Sequence, residues 1–455
     1  MNVLKFGGTS VGSIESLTNV KKIVESIPGK AVVVVSALGG LTDKLIATAK
    51  MAAENKEEWH EELLAMKERH LNIIRKMIKP ELQDELTNKI LDEFTQLERY
   101  YQGVYLLRFL PEQVLDMIVS FGERISSRIV AAMVKNGKRY YSPDFIKTEK
   151  WYGKNIADVK LTESLIRSTF SDMGEDEKAI VPGFISSDTL TGDITNLGRG
   201  GSDYTGALIA AALDAEVLEI WTDVDGFMTA DPRIVKKALI INHLTFTESM
   251  ELCNFGAKVI YPPTIYPVFH KNIPIRILNT FNPKAPGTLI TDERAYDDFE
   301  VKGVTSLKDV TVINIATNHS ANFTELSKRA YNVLSKEGVR IIPVSNNEAE
   351  SKIVLAVTAA DAKMSMTALE KEFAPEIGHG EVASPEIIND LTAIAVVGKS
   401  MKTKERLANR IHHSLHRQQI GVEAHSTGHS DTTLIYIINQ EKSLEALPLI
   451  HSLIF

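Results

Sequence analysis

The sequence predicts an α/β protein whose main sheet is mostly parallel, followed by two smaller α+β units. Two patterns carry this prediction. Up to residue 290, short apolar runs alternate with helix-forming segments. Beyond the turn-rich stretch Asn282–Gly287, the pattern becomes strand, helix, strand, strand, and then repeats. Length agrees, because 455 residues exceed one ordinary hydrophobic core and suggest two to four domains.

In the first part, Val3–Phe6, Ala31–Leu38, Ala179–Ile185, Glu216–Thr222 and Ile273–Leu278 read as strands. Several are apolar throughout and rich in valine or isoleucine, as strands buried on both faces are. Helices between them imply a covered parallel sheet, whose carboxyl edge is where ligands bind. Residues 43–135 are long, charged and helix-forming, and read as a helical insertion over that edge, a candidate lid. The expected domains are 1–292, 300–390 and 391–455, with the last two intertwined. In the second, strand Val310–Ala316 precedes helix Asn322–Glu337 and strands Val339–Ser345 and Lys352–Thr358. In the third, strand Thr392–Val397 precedes helix Lys402–Gln418 and strands Gly421–Ser426 and Thr432–Ile438. Each is of ferredoxin-like type, and the two are expected to pair into one larger sheet.

Composition removes several classes. Hydrophobic residues make up 44% and charged residues 24%, as in soluble globular proteins. No apolar run approaches the ~18 residues of a spanning helix, so no membrane partner is expected. A formal net charge of -8 argues against a nucleic-acid surface. The one cysteine, Cys253, allows no intramolecular disulfide and no cysteine-based zinc cluster. With no secretory pattern at MNVLKFGGTS, a cytoplasmic location is expected.

Six segments bear chemistry. In Lys5-Phe6-Gly7-Gly8-Thr9-Ser10 a lysine ends a strand before two glycines, so backbone N–H groups and a full charge can meet an anion. The bland reading is a strand and turn with a solvated lysine. The stretch matches neither GxxxxGK[ST] nor GxGxxG. Ser36–Thr42 is a second strand running into Gly39-Gly40, with Thr42 read as a helix cap. Ser120-Phe-Gly-Glu123-Arg124 places a carboxylate beside glycine at what reads as a helix start, where it could receive an ammonium or simply face solvent. Thr195–Thr205 is the most informative. Arg199 lies among glycines, and Ser202 and Asp203 open a helix over Tyr204–Leu213. Arginine binds carboxylates in bidentate fashion, and Asp203 could orient lysines. Trp221–Arg233 follows a buried strand and offers Thr222, Asp223 and Arg233 to a nucleotide. Phe255-Gly-Ala-Lys258 reads as a lysine one turn into a helix, a second phosphate ligand, though exposed helical lysines are common.

Together these segments resemble the amino-acid kinase family, in its aspartate kinase branch. KFGGTSVG, SFGERIS, GFISS, LGRGGSDYT, WTDVDG, TADPR and GAKV match in order and spacing over residues 1 to about 290. The resemblance implies a three-layer αβα kinase domain followed by tandem ACT domains. It implies transfer of the γ-phosphoryl group of Mg-ATP to the β-carboxylate of L-aspartate, an early step toward lysine, threonine and methionine. Lys5 and Lys258 resemble the family's phosphate-binding lysines, and Gly7, Gly8 and Thr9 its anion-cradling loop. Thr42, Glu123, Arg199 and Ser202 match aspartate-holding positions, with Glu123 on the ammonium and Arg199 on the α-carboxylate. Asp203 resembles the residue that organises the lysines. Lys5, Lys258, Asp203 and Gly8 are thus the expected catalytic set. Thr222, Asp223, Met228 and Arg233 occupy nucleotide positions, Met228 where a tyrosine is frequent. No protein-held metal is expected, Mg²⁺ arriving with ATP.

The resemblance also implies a homodimer or higher oligomer through the ACT domains, with lysine or threonine as effector. The first ACT-like unit departs from it. Ala321-Asn322-Phe323 replaces a Gly-Phe-Leu-like effector loop, and the turn Pro343–Ser351 is unusual. With no dehydrogenase domain before residue 455, the chain reads as monofunctional. His412, His413 and His416 share a helix but lack a further ligand, so a solvated face is the simpler reading. A kinase for glutamate or N-acetylglutamate, and a sensor that binds amino acid and nucleotide without turnover, remain the alternatives.

Overall fold

The computed structural model describes residues 1–151, 153–292, 300–318, 322–346, 351–401, 404–426 and 431–455. The chain divides into two compact units, Met1–Phe227 with Val259–Arg294, and Met228–Lys258 with Ala295–Phe455. In chain order the first unit opens with β1 (Asn2–Phe6), α1 (Ile14–Ser26), β2 (Ala31–Val35), α2 (Leu41–Ala53), α3 (Trp59–Met77), α4 (Pro80–Leu107) and α5 (Glu112–Met133). It continues through β3 (Gly137–Arg139), β4 (Lys147–Trp151), β5 (Lys154–Ala157), α6 (Val159–Phe170), β6 (Lys178–Pro182), β7 (Ile185–Asp188), β8 (Ile194–Asn196), α7 (Gly201–Ala212) and β9 (Val217–Thr222). After an excursion into the second unit, which holds β10 (His243–Thr245) and α8 (Phe246–Asn254), it returns with α9 (Tyr266–Phe269), β11 (Ile275–Asn279) and β12 (Thr288–Thr291).

The main sheet of the first unit runs β12-β11-β9-β1-β2-β6-β3. Every pair is parallel except β11 with β12. All five residues of β2 are buried, as are Val3, Leu4 and Phe6 of β1, which accounts for the unbroken valine run. β5, β4, β7 and β8 form a smaller sheet that the sequence reading did not foresee. Its strands are short and polar, and their pairing depends on contacts distant in sequence. Helices α2 to α5 cover the span expected to be helical. They bury Trp59, Ile73, Phe94, Tyr101 and Phe121 in one continuous core with β1 and β2.

Two helix starts differ from expectation. Gly40, at φ +75°, is the N-cap of α2, so Thr42 lies inside the first turn. Glu123 lies in the middle of α5 rather than at its start. The glycine before it serves close packing: a Cβ on Gly122 would sit 2.6 Å from the Ala37 Cβ.

In the second unit, β13 (Val301–Ala316), α10 (Phe323–Lys336), β14 (Lys352–Thr358), α11 (Ala359–Glu372), α12 (Ala374–His379) and β15 (Glu386–Gly398) are followed by α13 (Glu405–Arg417), β16 (Val422–Ser426), β17 (Thr433–Asn439) and α14 (Ser443–Ser452). One antiparallel five-stranded sheet runs β14-β13-β15-β17-β16, so the two halves do share a sheet. The long strands β13 and β15 serve both cores. Val301 and Val304 pack with Ile394, Val396 and Tyr436. Ile313 and Ile315 pack with Leu326, Ile353 and Leu355. Register shifts near Leu307 to Val312, and positive φ at Asp309 and Asp390, bend the pair between the two cores.

Val339–Ser345 is not a strand; only an isolated bridge, Ile342 to Ala356, forms there. Segment 228–258 packs in this unit. The Val304 N–H donates to the Thr229 carbonyl at 2.7 Å, and the Thr433 hydroxyl donates to Glu251 at 2.9 Å. Ala321, Asn347–Glu350 and most of Asp292–Glu300 lie outside the described residues. Among the described residues no helix is long and apolar enough to cross a membrane.

The Gly122 contact yields a test. Alanine in a helix interior is normally about 1 kcal/mol better than glycine. Here the added methyl meets Ala37, and overpacking costs ~1–3 kcal/mol. Gly122→Ala is therefore expected to lower the melting temperature in scanning calorimetry. A raised melting temperature would show that the α5–β2 approach has room to spare.

Candidate active site

Parallel strands end together, so the turns after β1, β2 and β6 share one edge of the sheet. A cavity of about 370 Å³ opens there, lined among others by Lys5, Gly8, Gly39, Gly40, Thr42, Glu123, Arg199, Ser202 and Asp203. Segments separated by as much as two hundred residues thus meet in one place.

Lys5 ends β1 with its Nζ 2.7 Å from an Asp203 carboxylate oxygen, both side chains almost buried. Gly206 packs beside this lysine: a Cβ there would lie in ordinary contact with the Lys5 Cβ at 3.5 Å and closer to Leu218 at 3.3 Å. Asp203 lies in the first turn of α7, whose N-terminus faces the same cavity. The turns after β1 and β2 touch backbone to backbone, and a Cβ on Gly39 would lie 3.0 Å from the Gly8 carbonyl oxygen. Among the described residues the amides of Gly8, Gly39 and Gly40 donate to no protein group. Free N–H groups beside a lysine are what an anion requires.

Glu123 is buried. One carboxylate oxygen accepts the Ala37 N–H at 3.0 Å; the other, Oε2, has no hydrogen-bond partner. Burial pushes its pKa up to about 8, against the lowering effects of the Ala37 N–H and Lys5. Arg199 is exposed, has no carboxylate partner among the described residues, and lies over the Tyr261 ring at 5.8 Å. Its loop is held by Asn196, whose side chain accepts the Gly198 N–H at 2.9 Å and donates to Asp116.

Other expected residues fall elsewhere. The Gly7 N–H is used by the Trp221 carbonyl at 3.1 Å, and neither Gly7 nor Thr9 lines the cavity. Thr222 and Asp223 stand at the end of β9, the neighbour of β1, also outside the lining. Met228, Arg233 and Lys258 belong to the second unit. There Met228 bridges Ile240, and Arg233 pairs with Asp231 at 2.7 Å. Lys258 is not inside a helix: α8 ends at Asn254, and Gly256 at φ +120° turns the chain away.

Sequence reasoning missed Phe184 and Asp43 in the lining. Phe184 adopts φ +68°, rare for a bulky residue, and its N–H donates to Thr205 at 3.1 Å. The GFISS stretch flagged this segment without indicating that Phe184 lines the cavity. Among the described residues, no group of three or more His, Cys, Asp or Glu side chains could hold a metal ion.

Residues 394–453 match the ACT domain model. The bifunctional aspartokinase/homoserine dehydrogenase of Haemophilus influenzae is 32% identical over all of this chain, which spans 56% of that protein. Aspartokinase 1, chloroplastic, of Arabidopsis thaliana is 29% identical over all of the chain and 80% of its own length. The crystal structure of E. coli aspartokinase III in complex with aspartate and ADP matches with a TM-score of 0.83 at 23% identity, over 99% of each chain. Residues 1–279 match the amino acid kinase family model, and with that extent of agreement the chain belongs to the amino acid kinase family.

Proposed function

We propose that the chain is an aspartate kinase, transferring the γ-phosphoryl group of ATP to the β-carboxylate of L-aspartate. One observation carries the reading: a lysine, free glycine amides, a buried carboxylate and an unpaired guanidinium share one cavity. The first three features suit a phosphate and an ammonium; the guanidinium suits a carboxylate. The names of the relatives point the same way.

The attacking carboxylate is ionised at neutral pH, since a free side-chain carboxylate has a pKa of ~4. No general base is needed, and the chain's task is to position the reactants and offset charge. Lys5, oriented by Asp203, and the Gly8 amide face the transferring group. Arg199 holds the α-carboxylate, Glu123 takes the ammonium, and Thr42 and Ser202 line the same pocket. Mg²⁺ enters on the triphosphate. The roles given to Gly7, Thr9, Thr222, Asp223, Met228, Arg233 and Lys258 rest on sequence. The ACT domain supports regulation by an end-product amino acid, lysine or threonine, and assembly into a dimer or higher oligomer. We place the reaction in the cytoplasm, as the single cysteine suggests.

Release of ADP with aspartate, glutamate or N-acetylglutamate tests the substrate. N-acetylglutamate has no ammonium, so turnover with it and not with aspartate refutes the reading. No turnover with any of them would favour a sensor. Added lysine, threonine or methionine reports regulation in the same assay.

Lys5→Met is expected to leave a folded protein with kcat down by at least about a hundredfold, roughly 3 kcal/mol of lost transition-state stabilisation. Unchanged turnover removes Lys5 from the mechanism. Arg199→Ala should raise the KM for aspartate far more than the KM for ATP; equal effects would break the assignment.

Glu123 gives a pH signature. Pairing with an ammonium requires its ionised form, yet its pKa in the free site is about 8. Below that value each bound aspartate must first displace a proton. The aspartate KM should therefore fall roughly fifteenfold from pH 6.5 to 8, then level off. Glu123→Gln should raise KM and flatten the profile; a slope that persists in this variant would place the titration elsewhere.

A further inference from the structure

Arg69 projects from α3, in the helical segment whose role the reaction leaves open. Its guanidinium donates to the Gly39 carbonyl at 3.0 Å and to the Gly12 carbonyl at 2.7 Å. Those carbonyls belong to different turns, one after β2 and one after β1. No carboxylate among the described residues accompanies it, and burial alone holds its pKa below the ordinary guanidinium value. An arginine spent on two backbone oxygens next to an anion pocket is a costly arrangement for stability alone, because a half-buried cation lacks a counter-charge.

The turns themselves explain its use. Gly8, Gly12 and Gly39 approach within backbone contact: a Cβ on Gly12 would lie 3.1 Å from the Gly8 carbonyl oxygen and 3.3 Å from the Gly39 nitrogen. Glycine-rich turns that lack side-chain packing lose their geometry easily. A trans peptide sets its C=O and N–H on opposite sides. Holding the Gly39 carbonyl toward α3 therefore turns the Gly40 N–H away from α3. Gly40 lines the cavity, and its amide donates to no protein group.

We infer that Arg69 is a positioning residue for phosphoryl transfer, clamping the turns after β1 and β2 so that their free amides form one anion cradle. Its charge also adds to the positive field behind that cradle. The inference rests on the reading that this cavity receives the transferring phosphate. It gives the helical insertion a part in the chemistry without contact with substrate.

The test uses the full chain and its Arg69→Met variant. Amide hydrogen exchange over residues 7–13 and 36–42 should speed up at least about tenfold in the variant, with exchange in β1 and β2 unchanged. ADP release with aspartate should lose at least about tenfold in kcat while the aspartate KM moves less than about threefold. In Arg69→Ala, guanidinium ion below denaturing concentration should restore part of kcat, and it should not raise that of the unsubstituted protein. Arg69→Lys, which keeps the charge but has no planar fork, should fall between the two and serves where Arg69→Met does not fold. Unchanged exchange in both turns, or unchanged kcat, overturns the inference. Should the unsubstituted protein release no ADP with any of the three acids, the functional reading fails; exchange in the two turns still decides whether Arg69 is a clamp.

Discussion

The ion pair between Lys5 and Asp203 joins the first strand of the sheet to the first turn of α7, nearly two hundred residues later. Its two ends need each other. A buried ammonium is tolerated only beside a counter-charge, and a buried carboxylate likewise. β1 lies between β2 and β9 with all pairings parallel, which brings Lys5 to the carboxyl edge. Gly183, where a Cβ would meet Ser202 at 2.7 Å, lets α7 approach the sheet. The glycine before Phe184 thus serves the same pair. The remaining features of the cavity are arranged around it.

Much of this was legible in the sequence, for a physical reason. Strands buried on both faces are mostly apolar; β2 is so throughout, and β1 and β9 are so apart from Asn2, Lys5, Glu219 and Thr222. A turn suited to an anion has glycine beside a cation, so Lys5, Gly8 and Arg199, which line one cavity, could be singled out from their neighbours. Helix position was less legible. Gly122-Glu123 looked like a helix start because glycine usually interrupts helices; here it lies mid-helix for the sake of Ala37. Gly256-Ala-Lys258 looked helical, although Gly256 ends the preceding helix at φ +120°. In both cases the signal was a glycine, and sequence alone does not say whether glycine marks a turn or a close approach. Arg69 was misjudged: the charged run Glu57–Arg69 reads as an exposed helical face, and Arg69 departs from it only once its partners, two distant carbonyls, are seen.

The C-terminal unit shows a different limit. Its strand–helix–strand–strand repeat was plain, yet β13 contributes Val301 and Val304 to one core and Ile313 and Ile315 to the other. A boundary drawn between repeats in sequence cannot describe a strand that is shared in space. The same holds for 228–258, which interrupts the first unit in sequence but hydrogen-bonds through Thr229 and Glu251 within the second.

In the function proposed here, Glu123 would select its ligand through its burial. With one oxygen on the Ala37 amide and the other unpartnered, ionisation in the empty cavity has little compensation, and the pKa rises to about 8. An entering ammonium supplies that compensation; an acetylated nitrogen does not. The penalty of leaving the carboxylate unpaired therefore falls on the wrong ligand, and discrimination comes from desolvation rather than from shape. Until an amino acid arrives, the neutral acid also leaves the charges of Lys5 and Arg199 less opposed. That favours an anionic nucleotide in the same cavity. Under that proposed function, a carboxyl group whose charge depends on its partner suits a site that would hold a triphosphate and a dicarboxylic acid side by side.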